Sequence, residues 1–263
     1  MTPFLALLRK ELACLFGTSG VYLVLTGVSL VSALIFFEHL QVYNQVLFVY
    51  ASSTMGGFET DTLPDYVNLW DSVFFPVAET LAVTLLAAIP LVTMRVFAEE
   101  RARGTDTLLF ATRLTGGRIV VAKFVVTFVL VTGMLAASFL YPAAAIERGG
   151  IGAEHLFSVF LGLWLHGLAV AAIGLACSAF ASHQWVAAIA AWTAAFVFWD
   201  FGWATPFVNE GLAASLRQLS LREHVGTLAE GVVAATDLAY FAGVILVGLA
   251  LARFAWDLRR VGA

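Results

Sequence analysis

Between Phe97 and Ala111 the sequence reads FAEERARGTDTLLFA, and its charges are spaced to pair along a helix. Glu99 and Arg103 stand at i and i+4, and Glu100 and Arg103 at i and i+3, spacings that bring opposite charges onto one helix face. Gly104 then permits a bend or a close backbone approach. Thr105 with Asp106 can cap a second turn whose apolar face is Leu108, Leu109 and Phe110. A segment of this kind does binding chemistry: it offers a charged surface and an apolar ridge to another protein. The plainer reading is a solvated loop helix whose charges keep it out of lipid.

Residues for bond-making chemistry are sparse. The five histidines, at 39, 155, 166, 183 and 224, are scattered, whereas a zinc site needs clustered His, Cys or carboxylate ligands. No G-x-x-x-x-G-K-[ST] phosphate cradle and no Gly-Lys pair occurs, so the chain is not expected to hydrolyse ATP by that route. Ionisable residues inside apolar runs need a partner or a cavity, because burying a charge in hydrocarbon costs at least about 2.5 kcal/mol. Glu79 is one, roughly 9 Å inside its apolar run by the helical rise. It either faces a pathway and meets a cationic group, or accepts a hydrogen bond from a neighbour such as His166 or Thr84. His166 reads as a satisfied polar contact or as a proton relay. Asp200 and Asp237 sit near the ends of apolar runs, where water is expected to reach them.

The elements that must position these residues are set by composition. With 61% hydrophobic and 12% charged residues and a mean hydropathy of +0.91, the chain carries too little polar surface for a soluble globule of 263 residues. An all-α, polytopic membrane protein is predicted. A spanning helix needs about 20 mostly apolar residues, and six segments meet that test: Gly20 to Phe37, Val73 to Val96, Ile119 to Ile146, Leu156 to Ala181, Gln184 to Ala204 and Val232 to Arg253. Six crossings put both termini on one side. With that side cytoplasmic, eleven of the fourteen Lys and Arg residues lie inside, six of them (Arg95, Arg101, Arg103, Arg113, Arg118 and Lys123) around the central loop. Only Arg148, Arg217 and Arg222 remain outside.

The rest of the chain is read as one transmembrane domain, 1–263, with three attached elements. Residues 1–17 form an interfacial helix, with Phe4, Leu5, Leu8, Leu12 and Leu15 opposite Arg9, Lys10 and Glu11. Residues 97–117 form the central cytoplasmic loop, and 205–231 an amphipathic segment on the outer face. The stretch from Glu38 to Asp71 is an outer loop, acidic through Glu59, Asp61 and Asp65. Cys14 and Cys177 fall near or in inner-half helices, and neither points to a disulfide. No signal peptide is read at the N-terminus, and no internal repeat is evident, which disfavours a carrier built from inverted repeats. Pro76, Pro90 and Pro142 are expected to bend or break helices. Trp164, Trp185, Trp192, Trp199, Trp203 and Trp256 mostly fall near span ends as membrane anchors.

The string TMRVFAEERARGTDTLLFATRLTGGRIVVAKF, from Thr93 to Phe124, resembles the cytoplasmic signature of ABC-2 type permeases, among them the gliding-motility-type and nitrous-oxide-maturation-type subunits. Further similar stretches are RKEL at Arg9 to Leu12, FLGLWLHGLAVAAIGLACSAFASHQWVAA from Phe160, and LSLREHVGTLAEGVVAATDLAYF from Leu219. The resemblance implies a six-span permease of an ATP-driven exporter in the inner membrane of a prokaryote. The loop after the second span would be a coupling helix docked on a separate ABC ATPase subunit, which carries the ATP and Mg; this chain would bind no cofactor and no nucleic acid. By position, Glu99, Glu100, Arg101, Arg103, Gly104, Thr105 and Asp106 would form or support that contact. A second copy or paralogue would complete the pathway, and an outer-face accessory protein is compatible with the gliding-motility likeness. Where relatives often have Pro after the apolar turn, this chain has Arg113 and Leu114, which leaves the end of the coupling helix open. Two rival readings are weighed. An ion-coupled carrier or channel would use Glu79 and His166 but leaves the loop string unexplained. An intramembrane protease of the CAAX type would need E-E-x-x-x-R, and Gly104 occupies the required Arg position.

Overall fold

The computed structural model describes residues 3–55, 68–110, 112, 114–139 and 153–262. Every regular element among them is helical. The segment expected to lie in the membrane interface is helical, α1 (Pro3–Phe16), and the first apolar run is α2 (Ser19–Met55). A π-helical turn, Trp70–Phe74, leads into α3 (Phe75–Ala102), followed by the short α4 (Asp106–Phe110) and by α5 (Gly116–Ser138). Then come α6 (Ala153–Phe180), α7 (Gln184–Trp199), a 3-10 turn at Gly202–Phe207, α8 (Glu210–Gln218), α9 (Leu221–Ala229) and α10 (Ala235–Gly262).

Five helices are long and apolar enough to cross a membrane: Ser19–Ser52, Trp70–Ala102, Gly116–Ser138, Glu154–Phe180 and Ala235–Arg260. The chain is therefore a polytopic helical membrane protein. The expected sixth span departs from this pattern. Gln184–Trp199 has only 16 residues, about 24 Å of helix against a hydrocarbon core of about 30 Å. Its predicted extension to Ala204 fails because Asp200 leaves the helical conformation and the 3-10 turn follows.

Other boundaries move outward. α2 has 37 residues, roughly 55 Å by the helical rise, so the run QVYNQVLFVY continues the first span as helix and is not a loop. The acidic residues Glu59, Asp61 and Asp65, together with Arg113, Pro142 and Arg148, lie outside the described residues. Pro76 lies where the π-helical turn passes into α3, a local distortion of the helix that does not end it. Pro90 sits within α3, as expected.

The bundle is organised around α6, which packs against α3, α5, α7, α9 and α10. Small residues on α6 permit this closeness. At Gly174 an added Cβ would stand 2.9 Å from the Thr93 Cβ of α3, and at Gly162 it would stand 2.8 Å from the Leu228 Cβ of α9. The main core joins Leu81, Leu85 and Ile89 of α3, Leu130 and Met134 of α5, and Leu163 and Val170 of α6. The segment after Pro206 holds two short helices, as its amphipathic pattern led one to expect, but they behave differently. α8 buries nothing, whereas α9 sinks Leu221, Val225 and Leu228 into the core. The tryptophans divide as well. Trp185 and Trp203 are exposed, as anchors would be, while Trp199 and Trp256 are buried packing residues.

Candidate functional site

The site forms where α1, the end of α3 and the start of α5 meet. Lys123 lies two turns into α5, about 10 Å from its first residue, and its side chain has no exposed surface. An ammonium there must be matched, since an unpaired buried charge is strongly destabilising. Its Nζ donates to Glu11 Oε2 at 3.2 Å and to the Val96 carbonyl at 2.7 Å, and lies 2.7 Å from Glu100 Oε2. The Phe97 ring faces it, 5.0 Å to the centroid. Lys10 closes the figure, 2.9 Å from Glu11 Oε1 and 2.5 Å from Glu100 Oε1. Two ammonium and two carboxylate groups thus form a closed, neutral ring linking three helices. Burial pulls the Lys10 ammonium down, but hydrogen bonds to Glu100 and Glu11 outweigh it and hold its pKa above the usual lysine value.

Lys123 draws one polar residue of α1 inward. Phe4 and Leu15 of the predicted apolar face pack against the core and Arg9 is exposed as expected, but Leu5 is exposed, and the buried residues of α1 are Leu7 and Glu11. Drawing the Glu11 carboxylate onto a buried cation outweighs burying one more leucine edge, because the unmatched charge costs about 3–5 kcal/mol and the leucine contributes about 1.5–3 at most.

A second grip comes from α6. Ser178 Oγ donates to the Met94 carbonyl at 3.0 Å and accepts from the Phe97 and Ala98 amides at 3.1 and 3.2 Å. The hydroxyl therefore stands within the backbone ladder of α3, one turn before Glu100. Arg101 Nη2 donates to the Ala179 carbonyl at 2.8 Å, and Arg259 Nη2 to the Phe180 carbonyl at 2.9 Å. Two guanidinium groups thus cap the carboxyl end of α6, where the helix dipole favours cations.

The seven loop residues divide accordingly. Glu99, Glu100 and Arg101 belong to the last turn of α3 itself, not to a separate loop helix. Glu100 and Arg101 point inward, into the ring and onto α6. Glu99 and Arg103 pair at 2.6 Å on the outward rim, where the Arg103 side chain is 71% exposed. Gly104 has φ +67°, a left-handed conformation that stops α3. Thr105 and Gly104 are exposed. Asp106 Oδ1 accepts from the Thr107 amide at 3.0 Å and starts α4. The arrangement is a hairpin whose inner residues clamp four helices and whose outer residues are free to meet another molecule.

The two pathway candidates are not brought together. Glu79 pairs with Arg222 of α9, which also reaches Asp200 Oδ2 at 3.1 Å. His166 is fully buried, its Nε2 3.1 Å from the Ala82 carbonyl and its ring edge-on to Trp199 at 5.2 Å. Asp237 is buried rather than hydrated. It lies 2.7 Å from His224 Nδ1 and accepts from Thr227 Oγ1 at 2.7 Å. Reading the sequence missed Lys123, Glu11 and Ser178 as site residues. Lys123 carried a signal nonetheless: a lysine two turns inside an apolar run implies a buried partner.

No family model matches the chain, and no curated protein matches it either. Fold and site define its class, a multi-pass helical membrane protein with a charge-locked helical hairpin at one end of the bundle.

Proposed function

We propose that the chain is the permease subunit of an ATP-driven exporter of the ABC-2 type. α7 makes the short sixth crossing, both termini are cytoplasmic, and the α3–α4 hairpin docks on a separate ATPase subunit that binds ATP and Mg. One observation carries this reading most. The exposed Glu99–Arg103 rim is backed by residues that tie the same helical turn to α1, α5 and α6, so a push on the rim moves the ends of four helices together. A solvated loop has no need of such backing. ATP-driven closure of two ATPase subunits would displace the hairpin and shift α3 and α5 around a pathway completed by a second copy or paralogue. The same stroke fits force transmission to an outer-face partner as well as solute export.

The ion-coupled carrier reading depends on Glu79 and His166. Both are engaged within the fold, the first by Arg222 and the second by the Ala82 carbonyl. The test is purification of the tagged chain from its own membranes, with the ATPase activity it retains measured. Retention of ATPase activity is expected with the native chain and its loss with the double charge reversal E99R/R103E, which keeps the i,i+4 pair and leaves thermal stability unchanged. Full ATPase retention by that variant would refute docking at the rim.

A further inference from the structure

Beside the charged ring, a cavity of about 850 Å³ opens between α1, α2, α3 and α5. One end is polar, lined by Lys10, Glu11, Lys123 and Glu100, and the other is apolar, lined by Val24, Leu91 and Val92. Leu23 at its rim is 74% exposed. The charges facing the cavity do not balance. Lys10 and Lys123 are matched by Glu11 and Glu100, and Arg103 by Glu99. Arg95 is the remaining cation. It stands on α3 about 10 Å short of the helix end, half-buried, with its guanidinium beside Gly20 at the start of α2. Among the described residues it makes no hydrogen bond and no ion pair. A guanidinium at the polar end of an amphipathic cavity, with no carboxylate of its own, calls for an anion from outside the chain.

We propose that this cavity seats one anionic glycerophospholipid, its phosphate paired with Arg95 and one acyl chain lying along Val24, Leu91 and Val92. Arginine suits the phosphate because its fork of donors matches two phosphate oxygens at once. The volume falls within the range of about 300–1,000 Å³ in which proteins bury small ligands, enough for a headgroup and part of one chain, so the second chain remains in the bilayer. A free phosphate would leave the apolar end empty, a neutral amphiphile would leave the charge of Arg95 unmatched, and a zwitterionic headgroup would bring an ammonium in beside Arg95, Lys10 and Arg103. Seated there, the lipid would bridge α1 and α3 beside the ring. Only the leaflet depends on the orientation proposed above; the binding itself needs no ATPase.

Native mass spectrometry of the full chain in detergent, with added phosphatidylglycerol, phosphatidylcholine or inorganic phosphate, tests this. One phosphatidylglycerol per chain is expected to be retained at least about ten-fold better than phosphatidylcholine, whose choline ammonium meets the uncompensated positive charge of the cavity. R95Q should fold normally, since Arg95 has no partner to lose, and should bring phosphatidylglycerol down to the phosphatidylcholine level, with R95K restoring most of the difference. V24W, which fills the apolar end while keeping Arg95, should also reduce retention. Equal retention of the two lipids, unchanged retention in R95Q, or displacement of the lipid by millimolar inorganic phosphate would each overturn the proposal. Loss of ATPase docking in the rim variants would leave these results as they are, so the two readings fail separately.

Discussion

Replacing Glu100 by Gln tests the charged ring most directly. The native ring holds two cations and two anions, and Lys123 keeps Glu11 at 3.2 Å and the Val96 carbonyl at 2.7 Å after the change. Removing one partner of a buried pair costs about 3–5 kcal/mol, and the surviving Glu11 contact puts E100Q at the low end, about 3 kcal/mol. At about 2–4 °C per kcal/mol for a chain of this size, the apparent melting temperature in detergent should fall by about 6–12 °C. K123M leaves two carboxylates facing Lys10 alone and should fall at least as far. The double variant E100Q/K123M removes one charge of each sign and should cost no more than E100Q alone, giving a coupling of about 3 kcal/mol in a double-mutant cycle. Differential scanning fluorimetry of the four proteins supplies all the terms. A shift under 2 °C for E100Q, or additive losses in the double variant, would refute the ring as a structural lock. In the same set K10A should cost under about 1 kcal/mol, because a half-exposed partner is screened by water.

Further outcomes follow from single contacts. S178A should free the α3 ladder at Phe97 and Ala98, cost about 1 kcal/mol and raise amide hydrogen exchange at those two positions. G174V forces a branched side chain against Thr93 and should lower the yield of folded protein through overpacking of about 1–3 kcal/mol. G104A places a Cβ on a left-handed residue and should cost about 1–2 kcal/mol, read as a fall in melting temperature. For pH, the raised Lys10 value fixes the sign. Its stabilisation is fully present below the ordinary lysine pKa near 10.4 and is lost as pH rises from there through the raised value of the folded state. Melting temperature should therefore show no Lys10-dependent loss between pH 7 and 9, and the loss above pH 10 should be smaller in K10M.

The class of this protein was legible in its sequence because hydropathy is a local property. A run of apolar residues must be helical and solvated by lipid wherever its neighbours lie, so the spans from Leu156 to Ala181 and from Val73 onward appear in the fold with small changes of boundary. The bend at Gly104 and the two amphipathic helices after Pro206 were legible for the same reason. Charge pairing was not local. Glu11 and Lys123 lie 112 residues apart, Ser178 and Phe97 81 apart, and Glu79 and Arg222 143 apart. Which carboxylate meets which cation depends on how closely the helices approach, and that is set where Gly162 and Gly174 let neighbours press against α6. The sequence alone therefore determined that the hairpin would be charged and bent. Only the packing decided that Glu100 and Arg101 face inward as a clamp, that Glu99 and Arg103 face outward, and that Arg95 is left without an anion.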